Sequence, residues 1–212
     1  VLVSEVMLQQ TQVDRVVPRY RAWLDRWPTA ESLAAAPRAD VIRAWQGLGY
    51  NRRAVSLHAA AQAIASDGWP QDLTDLPGVG RYTADAVACF AFGEPVLPVD
   101  TNVRRVHDRS GGSFTGRSAA ALMDLGATVC LARVPRCGAC PLAACCPSRG
   151  RRFAPLRKQS AFAGSFRERR ARVLRLVAEA SQRLDGLDRE AVDALARDGL
   201  VELDGDVVSL PA

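Results

Sequence analysis

A chain of 212 residues, 48% hydrophobic and 24% charged, can bury a substantial core and has ordinary globular composition. No apolar run approaches the roughly 18 residues that a membrane span needs, and the N-terminus lacks a charged-then-apolar leader pattern, so cytoplasmic residence with no membrane partner is the expectation. The net charge of +5 is uneven: residues 149–175 carry 10 basic side chains and 1 acidic, residues 176–212 carry 3 and 9, and residues 1–148 are near neutral with 15 and 13. Such a basic belt could follow a phosphate backbone.

The chain opens inside a helical pattern, as a piece of a longer protein would. In VSEVMLQQTQVDRVVPRY the apolar residues Val3, Val6, Met7, Val13 and Val16 have helical spacing, and Pro18 is expected to disturb it. Thr29 can cap a turn through Leu33, and Asp40 to Trp45 reads as a helix stopped by Gly47 and Gly49. Arg52 to Ala65 is an alanine-rich helix ended at Asp67-Gly68. DLTDLPGVGRYTADAVACFAFG then reads as helix, Gly-rich hairpin and helix, stopped at Gly93. The body is all-α, with no alternating strand pattern before residue 200. After a basic linker from 148 to 164, Phe166 to Ala180 looks helical and Asp188 can cap another helix through Ala196. VELDGDVVSL suggests a hairpin around Asp204-Gly205. Residues 165–212 therefore suit a small α+β, winged-helix-like appendage to a body over 1–147.

Four stretches carry chemistry. Cys130, Cys137, Cys140 and Cys146 form C-x6-C-x2-C-x5-C, with Cys145 beside the last. In a chain with no sign of secretion such clusters read as metal ligands. Only one two-residue knuckle is present, with single cysteines farther out, which favours a four-cysteine [4Fe–4S] cubane over zinc. Spacing does not choose between Cys145 and Cys146. Cys89, on an apolar helix face, reads as core packing.

Leu76-Pro77-Gly78-Val79-Gly80-Arg81 places two glycines just before a helix, where backbone N–H groups can meet a phosphate. A tight packing turn has the same pattern. Asp100, in PVDTNVRRV, stands where a helix should start, so its carboxylate can accept the first N–H bonds, as any N-cap aspartate does. Glu5 is set among apolar residues, where desolvation would keep a proton available, unless it faces solvent. Gln9-Gln10-Thr11-Gln12 is a polar run able to meet bases and phosphates.

Taken together and in this order, SEVMLQQTQV, GLGYNRRA, LPGVGRYTADAV, VDTNVRRV and DLGATVC with its cysteines resemble the MutY-type adenine glycosylases of the endonuclease III (helix–hairpin–helix, iron–sulfur) superfamily. The resemblance covers about residues 1–147. It implies a two-lobed helical fold with a cluster loop over 130–146, acting as a monomer on double-stranded DNA with mismatched or oxidised bases. It also implies a monofunctional hydrolase of base-excision repair that removes adenine opposite 8-oxoguanine or guanine after flipping it from the stack. Glu5 matches the catalytic acid and Asp100 the aspartate that stabilises an oxocarbenium-like sugar, logic close to a two-carboxylate glycosidase. Tyr82 and Asn102 match positions assisting near the sugar, and a tyrosine at 82 cannot serve as the Schiff-base lysine of bifunctional relatives. Gln10 and Tyr50 match residues that wedge into the duplex; Thr11 lies beside them, and Gly78, Val79, Gly80 and Arg81 match the hairpin on the phosphates. The stretch between Asp100 and Cys130 is about two dozen residues shorter than in the family, and the polar residue placed there against adenine falls on Ala120. The tail is too short and differently patterned for a Nudix-like domain. Two other readings use the same residues: a thymine or uracil mismatch glycosylase, and a DNA-binding module that has lost catalysis.

Overall fold

Along the first 79 residues, short amphipathic segments fold into five helices: α1 (Leu2–Leu8), α2 (Val13–Arg26), α3 (Ala30–Ala34), α4 (Arg38–Trp45) and α5 (Arg52–Asp67). The computed structural model describes residues 1–154 and 160–212, so part of the expected basic linker lies outside the described residues. The chain forms two compact units, one of Val3–Val79 with Ser160–Ala212 and the other of Gly80–Gln159 with Val1–Leu2.

The break after α1 falls at residues 9–12, not at the expected Pro18, which lies inside α2. Pro18 is exposed, so solvent can take the carbonyl that its missing N–H leaves without a partner. The interruption comes instead from Gln10, whose φ of 56° is left-handed and incompatible with a continuing helix. Thr29 and Ser32 form a reciprocal capping box that starts α3. Trp23 packs edge-on against Trp27 at 4.8 Å and against Trp45 at 5.5 Å, anchoring α2 to α4 through large apolar faces. Before the hairpin there is a 3-10 turn, Leu73–Asp75, in place of the expected helix, capped by the Asp72 side chain.

The second unit holds α6 (Arg81–Phe92), α7 (Thr101–Ser110) and α8 (Ala119–Thr128). Gly93 and Gly111 end α6 and α7 in left-handed conformation, the usual glycine stop. Val103, Val106 and Leu122 form the centre of its α7–α8 core, with Leu97, Phe114, Met123, Leu125, Cys130 and Leu142 packed round them.

The chain after residue 160 returns to the first unit as α9 (Phe166–Glu179), β1 (Gln182–Arg183), α10 (Arg189–Arg197), β2 (Glu202–Asp204) and β3 (Val207–Ser209). The strands form an antiparallel sheet of order β1-β3-β2. The hairpin at Asp204-Gly205 is as expected; the two-residue β1 is too short to show in the sequence pattern. Asp188 caps α10 through the Ala191 N–H at 3.0 Å. Val173, Leu174, Val177, Val192, Leu195 and Val208 share one buried cluster with Ile42 of α4, each such side chain contributing about 1.5–3 kcal/mol of burial. Part of the basic belt is neutralised here: Arg169 pairs with Asp188 at 2.9 Å and Glu190 at 2.7 Å, and Arg170 pairs with Asp198. Arg172 and Arg175 are exposed.

Candidate active site and cysteine cavity

In the second unit the candidate chemistry starts at the N-terminus of α7. Asp100 takes an extended backbone and one carboxylate oxygen, Oδ1, accepts the N–H of Asn102 at 2.8 Å and of Val103 at 2.6 Å. Its other oxygen accepts the Asn102 side-chain amide at 2.9 Å. The carboxylate is therefore fixed in orientation, with both oxygens engaged as acceptors. Asn102 is held in turn by Arg105, which donates to its Oδ1 at 2.6 Å and also reaches the carbonyls of Gly126 at 2.6 Å and Cys130 at 2.7 Å. A continuous hydrogen-bonded line thus runs from Asp100 to the first cysteine. Gly126 on α8 lies so close to α7 that a Cβ there would stand 2.6 Å from the Cβ of Asn102. Tyr82 is half-buried in the first turn of α6, and Ala120 is exposed near the start of α8.

Beyond α8, Cys130, Cys137, Cys140 and Cys146 line one open cavity of about 330 Å³, counting the solvent space at its mouth. Cys145 is exposed and not among the residues lining this cavity, so the structure separates the two neighbours that spacing could not. Among the described residues no three His, Cys, Asp or Glu side chains converge closely enough to hold a single ion; the four thiols stand round a space instead. Two donors point at sulfur: the Gly150 N–H at 3.3 Å from Cys137 Sγ and Arg109 at 3.6 Å from Cys130 Sγ, as suits a thiolate. Arg109 is buried, donates to the carbonyls of Leu131 at 2.8 Å and Ala132 at 2.6 Å, and lies 3.5 Å from the centre of the Phe153 ring. Arg133, Arg136, Arg149, Arg151 and Arg152 are exposed on the same segment.

In the first unit, Glu5 is half-buried on α1 beside the buried Val6 and Met7. Gln10 and Tyr50 are exposed, and they are the two non-glycine residues with left-handed backbone among those described, at φ 56° and 47°. Thr11 donates to the Leu48 carbonyl at 3.2 Å, tying the two turns together. In the hairpin, Gly78 has φ +76°, and a Cβ there would stand 2.5 Å from the Ser56 Cβ of α5, so glycine is required for both reasons. Val79 is buried, leaving only its backbone for a phosphate, whereas Gly78, Gly80 and Arg81 are exposed. No side chain caps α6 at Gly80, and Arg81 pairs with Asp85 at 3.0 Å.

Residues 3–125 match the family model of the HhH-GPD superfamily of base excision DNA repair proteins. The chain belongs to this superfamily. Within the superfamily it is 43% identical to the adenine DNA glycosylase of Mycolicibacterium smegmatis, covering 97% of this chain and 85% of that protein. Their alignment runs over 249 positions, more than the 212 residues of this chain, so the relative has insertions that this chain lacks. A thermostable thymine-DNA glycosylase matches with a TM-score of 0.62 at 27% identity, covering 69% of this chain and 81% of its own. A trapped endonuclease III–DNA covalent intermediate matches with a TM-score of 0.60 at 25% identity over the same shares.

Sequence reasoning missed the arginines that organise these sites. Arg53, Arg105 and Arg109 each bond several carbonyls. Arg105 and Arg109 lie four apart on α7, a spacing that puts both on one helix side, but their partners are distant in the chain.

Proposed function

We propose that the chain is a monofunctional DNA glycosylase that hydrolyses the N-glycosidic bond of adenine mispaired with 8-oxoguanine or guanine in duplex DNA. The observation that carries this reading is the Asp100 carboxylate, locked as a pure acceptor by two backbone N–H groups and the Asn102 amide. A fixed negative charge of that kind favours the cationic, oxocarbenium-like sugar that forms as the base leaves. Glu5 supplies the opposite function, giving its proton to a ring nitrogen of adenine so that the bond from C1′ to N9 breaks with the electron pair on the base. Water then adds to C1′ and a proton is lost to solvent. The phenol of Tyr82 cannot form a Schiff base, so the strand stays intact after base loss.

The four cysteines that line the cavity, with N–H groups aimed at two of the sulfurs, fit a [4Fe–4S] cluster held by Cys130, Cys137, Cys140 and Cys146. When bound, such a cluster supplies a rigid cross-link of the loop and no step at the glycosidic bond. The exposed arginines of that loop, with the hairpin at Gly78 and Gly80, suit the phosphate backbone. A second reading, a thymine mismatch glycosylase, is favoured by the likeness to the thymine-DNA enzyme.

The test is base release from duplexes with adenine opposite 8-oxoguanine or guanine, and thymine or uracil opposite guanine, each with and without alkali. Alkali-dependent cleavage at adenine is expected. Glu5→Gln should abolish release while duplex binding persists, because the proton is lost and no phosphate contact is. An active Glu5→Gln protein would remove Glu5 from the acid role, and cleavage at thymine alone would favour the second reading.

A further inference from the structure

Arg53 is the third residue after Tyr50, and its guanidinium lies where the end of α1 meets the turn before α5. One terminal nitrogen donates to the carbonyls of Val6 at 2.7 Å, Met7 at 3.1 Å and Gln9 at 2.6 Å. The other donates to the Thr11 hydroxyl at 3.1 Å and the Gly49 carbonyl at 3.0 Å, and Nε reaches the Tyr50 carbonyl at 3.4 Å. Val6 and Met7 lie in the last turn of α1, whose carbonyls have no partner within the helix; this is the helix that carries Glu5. The guanidinium is half-buried, with its centre 5.3 Å from the Trp45 ring and 5.5 Å from the Tyr50 ring. Burial pushes its pKa down, but arginine starts so high that it stays charged.

The acceptors it gathers flank Gln10 and Tyr50, the two strained residues. Side-chain-bearing residues in left-handed conformation persist only where the surroundings fix them. Both are exposed at the turn tips, and Arg53 bonds the backbone on either side of each. A planar fork can serve two loops at once, whereas an ammonium is a single point with three donors.

We propose that Arg53 is a positioning residue that locks the end of α1 and the Gly47–Asn51 turn together, so that Gln10 and Tyr50 act as one rigid two-point wedge on duplex DNA. This rests on the glycosylase reading for the wedge's task, but the lock itself is a property of the free protein. With the lock removed, each turn relaxes to an ordinary backbone independently, and the fold beneath survives on its tryptophan core.

The experiment compares the 212-residue chain with Arg53→Lys and Arg53→Gln by amide hydrogen exchange in the free protein and by 2-aminopurine fluorescence in a duplex with the probe opposite 8-oxoguanine. In both variants, residues 9–12 and 48–51 should exchange about 10-fold faster or more, together, while α2 and α4 keep their protection. Fluorescence from unstacking should fall to near the free-duplex level, while low-salt binding to undamaged duplex is unchanged. Exchange unaltered in Arg53→Lys, or accelerated equally across the whole unit, overturns the lock. Accelerated exchange at both turns with full unstacking overturns the wedge. If the wild-type chain itself gives no unstacking, the glycosylase reading fails, and the exchange result still decides the lock.

Discussion

Replacing Gly126 by alanine sets two effects of known size against each other. Gly126 lies within α8, and exchanging a helical glycine for alanine ordinarily stabilises by about 1 kcal/mol. Here, however, the new methyl would stand 2.6 Å from the Asn102 Cβ, 2.9 Å from its carbonyl oxygen and 3.0 Å from its carbonyl carbon. Ordinary carbon–carbon contact is about 3.5–4.0 Å, so α8 and α7 must separate by on the order of 1 Å, and the obstacle is backbone that cannot rotate away. Overpacking of this kind costs about 1–3 kcal/mol. The clash therefore wins, and a net loss of about 0–2 kcal/mol is expected, lowering the melting temperature by up to about 8 °C. Catalysis should suffer more than stability. Asn102 holds Asp100 at 2.9 Å, and Arg105 bonds both Asn102 and the Gly126 carbonyl at 2.6 Å; a shift near 1 Å in such a frame can slow chemistry by about 100-fold. Thermal melting and single-turnover release of adenine from a duplex with 8-oxoguanine measure the two effects. A Gly126→Ala chain that melts higher than the wild type and releases base at the same rate would refute the close approach of α8 to Asn102.

Two other outcomes are expected. Cys146→Ser should lose the broad visible absorbance of an iron–sulfur cluster, and Cys145→Ser should keep it, because Cys146 lines the cavity and Cys145 faces solvent; the reverse pattern would reassign the fourth ligand. His58 is buried, with its pKa pushed down by desolvation despite neighbouring carbonyls of Leu33, Ala34 and Ala36. The unfolded chain therefore takes up a proton first, so stability should be full above about pH 6.5 and decline as pH falls below it. The melting temperature should drop between pH 7.5 and 5.5 by more in the wild type than in His58→Gln, and equal slopes would place the effect elsewhere.

Much of this protein is fixed by local chemistry and so can be read from the chain. Helices follow from apolar spacing and are stopped by Gly93 and Gly111, whose left-handed backbone needs no tertiary help. Asp100 and Asp188 cap the helices they precede because the N–H groups that they accept lie two or three residues on. The hairpin around Gly78 and the grouping of cysteines are likewise short-range patterns. What the sequence could not determine depends on residues brought together from far apart. The choice of Cys146 over Cys145 for the cavity wall depends on which way the loop turns, and adjacent cysteines have identical spacing to everything else. The break after α1 at residues 9–12, not at Pro18, requires a left-handed Gln10 that local preference disfavours; Arg53, 43 positions away, bonds the Gln9 carbonyl and the Thr11 hydroxyl on either side of it. The basic belt looked free for phosphate until Arg169 and Arg170 met acidic partners 19 to 28 positions on. Periodicity reports what a residue's neighbours in the chain require of it. Hydrogen bonds and ion pairs between distant segments exist only after the backbone has folded, and here those long-range bonds set the placement of the side chains expected to touch DNA.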